Sequence, residues 1–216
     1  MFTKQTIRDI QDLKGKKVLV RVDFNVPINE FGVITDDYRI RQALPTIEHL
    51  RASGAKIILI SHLGRPSGPK DIANSLSSIA HRLKDLLHLP VLFVDDCRGD
   101  KPKEAINKMK NGDIVVLENL RFYKEEEAND DAFAKELASY ADVFVQDGFG
   151  VVHRAHASTD AVAKLLPSYA GVLLEKEVDT ITSTMQKPEK PLAVIIGGAK
   201  ISDKIDLLKI FILILY

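Results

Sequence analysis

The chain has 216 residues, 45% hydrophobic and 28% charged, with 30 Lys plus Arg balanced by 30 Asp plus Glu. That is enough apolar material for one α/β domain and the start of a second, which excludes a disordered tail. Zero net charge excludes a general attraction to nucleic acid or anionic lipid, so any anion site must come from local clustering.

One cysteine, Cys97, excludes a disulfide scaffold and a multi-cysteine metal centre. It reads as a small core or strand-end residue. The start, Met1 to Lys4, lacks the apolar stretch of a signal peptide. No internal run reaches the roughly 18 apolar residues of a membrane helix. The expectation is a cytoplasmic protein with no membrane or nucleic-acid partner.

In chain order, Val18–Val22 reads as the first strand. An apolar stripe at Ile40, Leu44, Ile47 and Leu50 predicts a helix that either starts near Leu44 or is kinked at Pro45. Ile57–Ile60 is the second strand. Leu76, Ile79, Ala80, Leu83 and Leu87 predict a helix with Ser75 as N-cap. Strands follow at Val91–Val94 and Ile114–Leu117. Phe133, Leu137 and Tyr140 then mark a helix capped by Asn129 or Asp130, before a fifth strand at Val143–Val145. Each strand is brief and nearly all apolar, as expected for strands buried on both faces of a parallel sheet.

The alternation predicts an α/β fold: a doubly wound, Rossmann-like parallel sheet with helices on both faces. A long helix over about Val172–Met185, a break at Lys187–Pro191, a sixth strand at Leu192–Ile196, Gly197-Gly198 and a further helix start follow. The expected organisation is a first domain over 1–170, an interdomain helix and linker over 171–190, and an incomplete second α/β domain over 191–216.

Ligands of open parallel sheets bind beyond the carboxyl ends of the strands. Asp23 and Asn25 follow the first strand there, and His62 and Arg65 follow the second. Glu118, Asn119 and Arg121 follow the fourth, and Asp147, His153 and Arg154 the fifth. Three arginines at strand ends predict a cationic basin, because the planar guanidinium fork grips phosphate or carboxylate with two hydrogen bonds. Gly64, Gly148 and Gly150 at the same ends allow either a tight turn or close approach to a ligand. Gly197–Lys200, with Ser202, Asp203 and Lys204, opens a helix whose N-terminus and lysines suit phosphate, without being a Walker A loop.

Arg21–Pro27, Ser61–Pro66, Leu117–Phe122, His153–Ser158 and Gly197–Lys204 together resemble phosphoglycerate kinase, in order and spacing, from near Met1 to about Lys209. The resemblance implies a first domain for 3-phosphoglycerate or 1,3-bisphosphoglycerate and a second for ADP or ATP with Mg2+, in a monomer. The Mg2+ would come with the nucleotide, without a dedicated protein site in this chain. Asp23 and Asn25 would contact the glycerate. His62, Arg65, Arg121 and Arg154 would hold its phosphate. Arg39 would face the reacting carboxyl, and Lys204, assisted by Lys200, would touch the nucleotide phosphates and the transferring group.

Two departures stand out. Gln146 and Gly148 replace residues that are often Asn and Ala in the family. After Lys209, the run Ile210–Tyr216 does not resemble the family helix, so the chain reads as a truncated form with little activity, although a genuine fragment is an alternative. Other readings are a non-catalytic binding module for 3-phosphoglycerate or a similar small phosphorylated acid, and a dinucleotide-binding oxidoreductase. Against the last, no Gly-x-Gly-x-x-Gly follows the first strand.

Overall fold

The computed structural model describes residues 3–68, 71–195 and 205. The chain divides into two compact units, Lys4–Leu174, and Met1–Thr3 with Glu175–Tyr216. Six strands, β1 (Lys17–Arg21), β2 (Lys56–Ile60), β3 (Leu92–Val94), β4 (Ile114–Leu117), β5 (Val143–Gln146) and β6 (Ser168–Ala170), form one sheet in the order β3-β4-β2-β1-β5-β6. Every pairing is parallel.

The α-helices that accompany them are α1 (Tyr38–Ala52), α2 (Ser77–Leu87), α3 (Asp100–Asn107), α4 (Asp131–Ala138) and α5 (Val172–Gln186). Alternate strand residues enter two separate cores. Val18, Val20, Ile57, Leu59, Ile114 and Val116 pack with Ile40 and Ile47 of α1 and Ile79 and Leu83 of α2. Leu19, Ile58, Ile60, Val115, Leu117 and Phe144 pack on the other face with Ile106 of α3 and Phe133 and Leu137 of α4. A strand with a period of two and an apolar partner on each side needs apolar residues throughout, hence the unbroken runs in the sequence.

Several local details depart from the sequence pattern. α1 begins seven residues before Pro45 and runs through it, so the alternative of a start near Leu44 does not hold. α2 starts at Ser77, and Leu76, not Ser75, occupies the N-cap position. Ser75 Oγ accepts from Ser77 N at 3.2 Å but also donates to Glu118 Oε2 at 2.7 Å, while Glu118 Oε1 accepts from Leu76 N at 2.8 Å. The start of α2 is thus tied to the end of β4 by a carboxylate remote in sequence.

Of the two candidate caps for α4, Asp130 accepts from Phe133 N at 2.8 Å. Residues 192–195 form no strand, and Ile195 is 98% exposed. An extended segment becomes a strand only where a neighbour takes its hydrogen bonds. Ile196 and the glycine-rich segment after it lie outside the described residues. Among the described residues no helix is long and apolar enough to cross a membrane.

Candidate anion-binding site

β1 ends in a buried charge. Arg21 is 1% exposed. Its Nε donates to Ser158 Oγ at 2.7 Å, its Nη1 to the Val22 carbonyl at 2.5 Å, and its Nη2 lies 3.2 Å from His62 Nδ1. Glu126, fully buried, places Oε1 at 4.0 Å from Arg21 Nη2 and accepts from Ser158 N and Oγ at 3.0 and 2.6 Å. A buried ion pair persists when hydrogen bonds satisfy both partners, and Ser158 bridges these two.

Arg21 fixes the state of His62. A guanidinium only donates, so Nδ1 of His62 accepts and the ring proton sits on Nε2. Burial, followed by the charges of Arg21, Arg121, Arg154 and Arg39, pushes His62 down to about 2. His62 is therefore a neutral imidazole with an Nε2–H donor, surrounded by arginines.

The loop after β1 carries two further expected residues. Asp23 pairs through Oδ2 with Arg39 Nη1 from α1, and its Oδ1 accepts from Asn25 N at 3.3 Å. Asn25 Oδ1 accepts from Gly64 N at 2.8 Å, joining the β1 and β2 loops. Gly64 has φ +59, and a Cβ there would lie 2.0 Å from Asn74 Oδ1, so a larger residue would have to push the Asn74 side chain aside. A Cβ on Gly150 would lie 2.7 Å from Asp23 Oδ2, so this residue is pressed against the Asp23–Arg39 pair.

Asn119, fully buried after β4, uses both ends of its amide. Nδ2 donates to the Leu63 and Asn74 carbonyls, each at 2.8 Å, and Oδ1 accepts from Leu63 N and Arg121 N. This places Arg121, whose Nη1 donates to the Gly64 carbonyl at 2.7 Å. Arg65, Arg121 and Arg154, from three different strand ends, line one cavity of about 440 Å3 together with Pro66, Glu127 and His156. A larger cavity of about 780 Å3 lies beside residues 32–37 and 81–85. Its arginines, Arg41 and Arg82, are both paired with Asp37.

Not every strand-end residue joins the cluster. Asp147 turns away: its Oδ1 accepts from Leu173 N and Leu174 N at 2.9 and 3.3 Å, at the first turn of α5. Burial pushes its carboxyl up to about 7, with Thr46 and these two amides opposing the rise. Glu118 serves the start of α2, and His153 is exposed. Lys200 and Lys204 lie outside the described residues. Arg21, Glu126 and Ser158 were not among the expected site residues. Arg21 stands out in the sequence as the one charge inside the apolar run Val18–Val22. Glu126 stands in a run of three glutamates, where nothing local distinguishes the buried one. Cys97 is buried in the core, which raises its thiol well above the ordinary range.

The family model for phosphoglycerate kinase matches residues 7–213. This chain belongs to the phosphoglycerate kinase family. It is 56% identical over 210 residues to the phosphoglycerate kinase of Dictyoglomus turgidum, covering 96% of this chain and 52% of that protein. Its identity to the phosphoglycerate kinase of Borrelia turicatae is 54% over 205 residues, with 95% and 52% covered. The structure of phosphoglycerate kinase from Pyrococcus horikoshii matches with a TM-score of 0.86 and 31% identity, and that from Coxiella burnetii with 0.81 and 36%. Each structural match covers 95% of this chain and 51% of the other. The chain thus spans about half the length of the phosphoglycerate kinases it matches. The family match takes in every residue of the arginine cluster, and Lys200 and Lys204 as well. Among the described residues, no group of three or more His, Cys, Asp or Glu is placed to hold a metal ion.

Proposed function

We propose that the arginine cluster holds the phosphate of 3-phosphoglycerate, and that the chain serves the glycolytic phosphoryl transfer between 1,3-bisphosphoglycerate and ADP. The observation that carries this reading is the convergence of Arg65, Arg121 and Arg154 on one cavity. Three guanidinium groups in a chain of zero net charge suit a phosphate dianion. His62 adds an uncharged Nε2–H donor. Asp23 and Asn25 orient the glycerate, and Arg39 faces its carboxyl.

In the reaction the bond between phosphorus and the acyl oxygen breaks while one forms to a terminal phosphate oxygen of ADP. Such a transfer needs positioning and charge stabilisation, without a protein nucleophile. Arg39 would neutralise the carboxylate that leaves. Lys204, assisted by Lys200, would take the nucleotide phosphates, and Mg2+ would enter with the nucleotide as part of that substrate. The domain reading is a substrate domain over 1–170, a helix and linker over 171–190 and part of a nucleotide domain over 191–216, in a cytoplasmic monomer.

The arginine cluster lies wholly inside the unit Lys4–Leu174. That favours a second reading for these 216 residues tested by themselves: a binding module for a small phosphorylated acid, with negligible turnover. A coupled assay for ATP formation separates the two readings. Binding is tested by calorimetry with 3-phosphoglycerate. Arg65→Ala is expected to weaken it by about 1.5–3 kcal/mol, the range for a charged hydrogen bond. Unchanged affinity would remove Arg65 from the site.

A further inference from the structure

The cavity bounded by Arg65, Arg121 and Arg154 also contains an acid. Glu127 Oε1 lies 2.8 Å from Arg121 Nη2, and the Glu127 side chain is 56% exposed while that of Arg121 is 10% exposed. Nη1 of Arg121 is committed to the Gly64 carbonyl, and Nε is buried without a hydrogen-bond partner. Nη2, the donor suited to meet an anion in the cavity, is therefore taken by a side chain of the same chain.

A carboxylate facing three cations has two effects. It offsets the repulsion that Arg65 and Arg154 exert on Arg121, and its contact with Nη2 holds that end of the Arg121 fork. It also competes with any incoming anion for Nη2 and repels it. An ion pair with one partner more than half exposed is weak and screened. A phosphate that meets several guanidinium groups at once can displace it, and the free Glu127 carboxylate turns to water.

We infer that Glu127 is an internal stand-in for the bound anion, holding Arg121 in place and weakening anion binding so that the ligand is released. This inference rests on the anion-site reading above. It concerns Glu127, which that reading does not use.

The test compares the full chain with Glu127→Gln and with Glu104→Gln, a control that removes one charge from the exposed face of α3. Each is titrated with inorganic phosphate and separately with acetate, following amide resonances of Gly64 and Arg121 by NMR. Glu127→Gln is expected to tighten phosphate binding about three- to tenfold, the sum of a lost competing pair and a lost repulsion. Acetate should gain less, because a dianion feels the repulsion twice as strongly. Glu104→Gln should leave both affinities unchanged. If the parent chain binds phosphate and Glu127→Gln binds it no more tightly, the stand-in role is overturned while the anion site stands. If phosphate shifts neither resonance in any of the chains, the anion site itself fails and the inference falls with it.

Discussion

His62 and Asp147 are 2% and 1% exposed, and burial acts on both in favour of the neutral form. His62 falls from 6.5 to about 2, so the unfolded chain carries a proton there that the folded chain lacks. Asp147 rises from 3.8 to about 7, so the folded chain carries a proton that the unfolded chain lacks. The stability that His62 contributes is present above 6.5 and is lost as the pH falls towards 2. The stability from Asp147 is present below 3.8 and is lost as the pH rises through 7. Between 3.8 and 6.5 the two slopes oppose each other and cancel. Each substitution should therefore uncover the other group. Asp147→Asn is expected to make stability fall as pH drops below 6.5, and His62→Gln to make it fall as pH rises above 3.8. The limiting slope is about 1.4 kcal/mol per pH unit. Urea midpoints across this window check it, and slopes equal to the parent's in both variants would refute the opposed titrations. Neither state was legible in the sequence. His62 and Asp147 looked alike as polar residues after strands, and only their neighbours separate a donor among arginines from a carboxyl under α5.

At the scale of elements, the start of α2 depends on a residue some forty positions away. Glu118 accepts from Leu76 N, Asn119 N and the Ser75 hydroxyl. Glu118→Ala would leave these three donors without that acceptor in the interior. The expected loss is about 2–4 kcal/mol, because an unpaired buried donor is more costly than a hydrogen bond is favourable. Glu118→Gln, which keeps one acceptor oxygen, should lose less. Equilibrium unfolding in urea measures both, and a loss below about 1 kcal/mol for the alanine variant would mean that water replaces the carboxylate. Sequence pattern found α1, α2 and α4 through their apolar stripes, and α5 as a long helical stretch before the break at Lys187–Pro191. It missed α3, where only Pro102 and Ile106 are buried in eight residues. It also missed β6, three residues paired to β5, in which only Ala170 is buried. Conversely, 192–196 has strand composition, yet its described part pairs with nothing.

At the scale of the molecule, the six strands and two apolar cores seen among the described residues fall within Lys4–Leu174. Deleting 188–216 should therefore leave cooperative unfolding intact, with a melting temperature within a few degrees of the parent. Solubility should rise, because Ile210–Tyr216 is apolar at every position and carries no charge or proline. Thermal scans and sedimentation check this, and loss of the cooperative transition would mean that the sheet needs residues beyond α5. By itself the sequence determined the parallel α/β architecture, since apolar strand runs alternating with amphipathic stripes admit few other arrangements. It also determined which strand ends carry arginines. Only the tertiary structure decided which of those groups face one another. Arg65, Arg121 and Arg154 share a cavity because β2, β4 and β5 run parallel and end on one side. Burial of Arg21 with Glu126, the proton on His62 Nε2 and the grip of Glu127 on Arg121 follow from contacts between distant segments. Their strength depends on distance and solvent access, quantities that no local run of residues encodes.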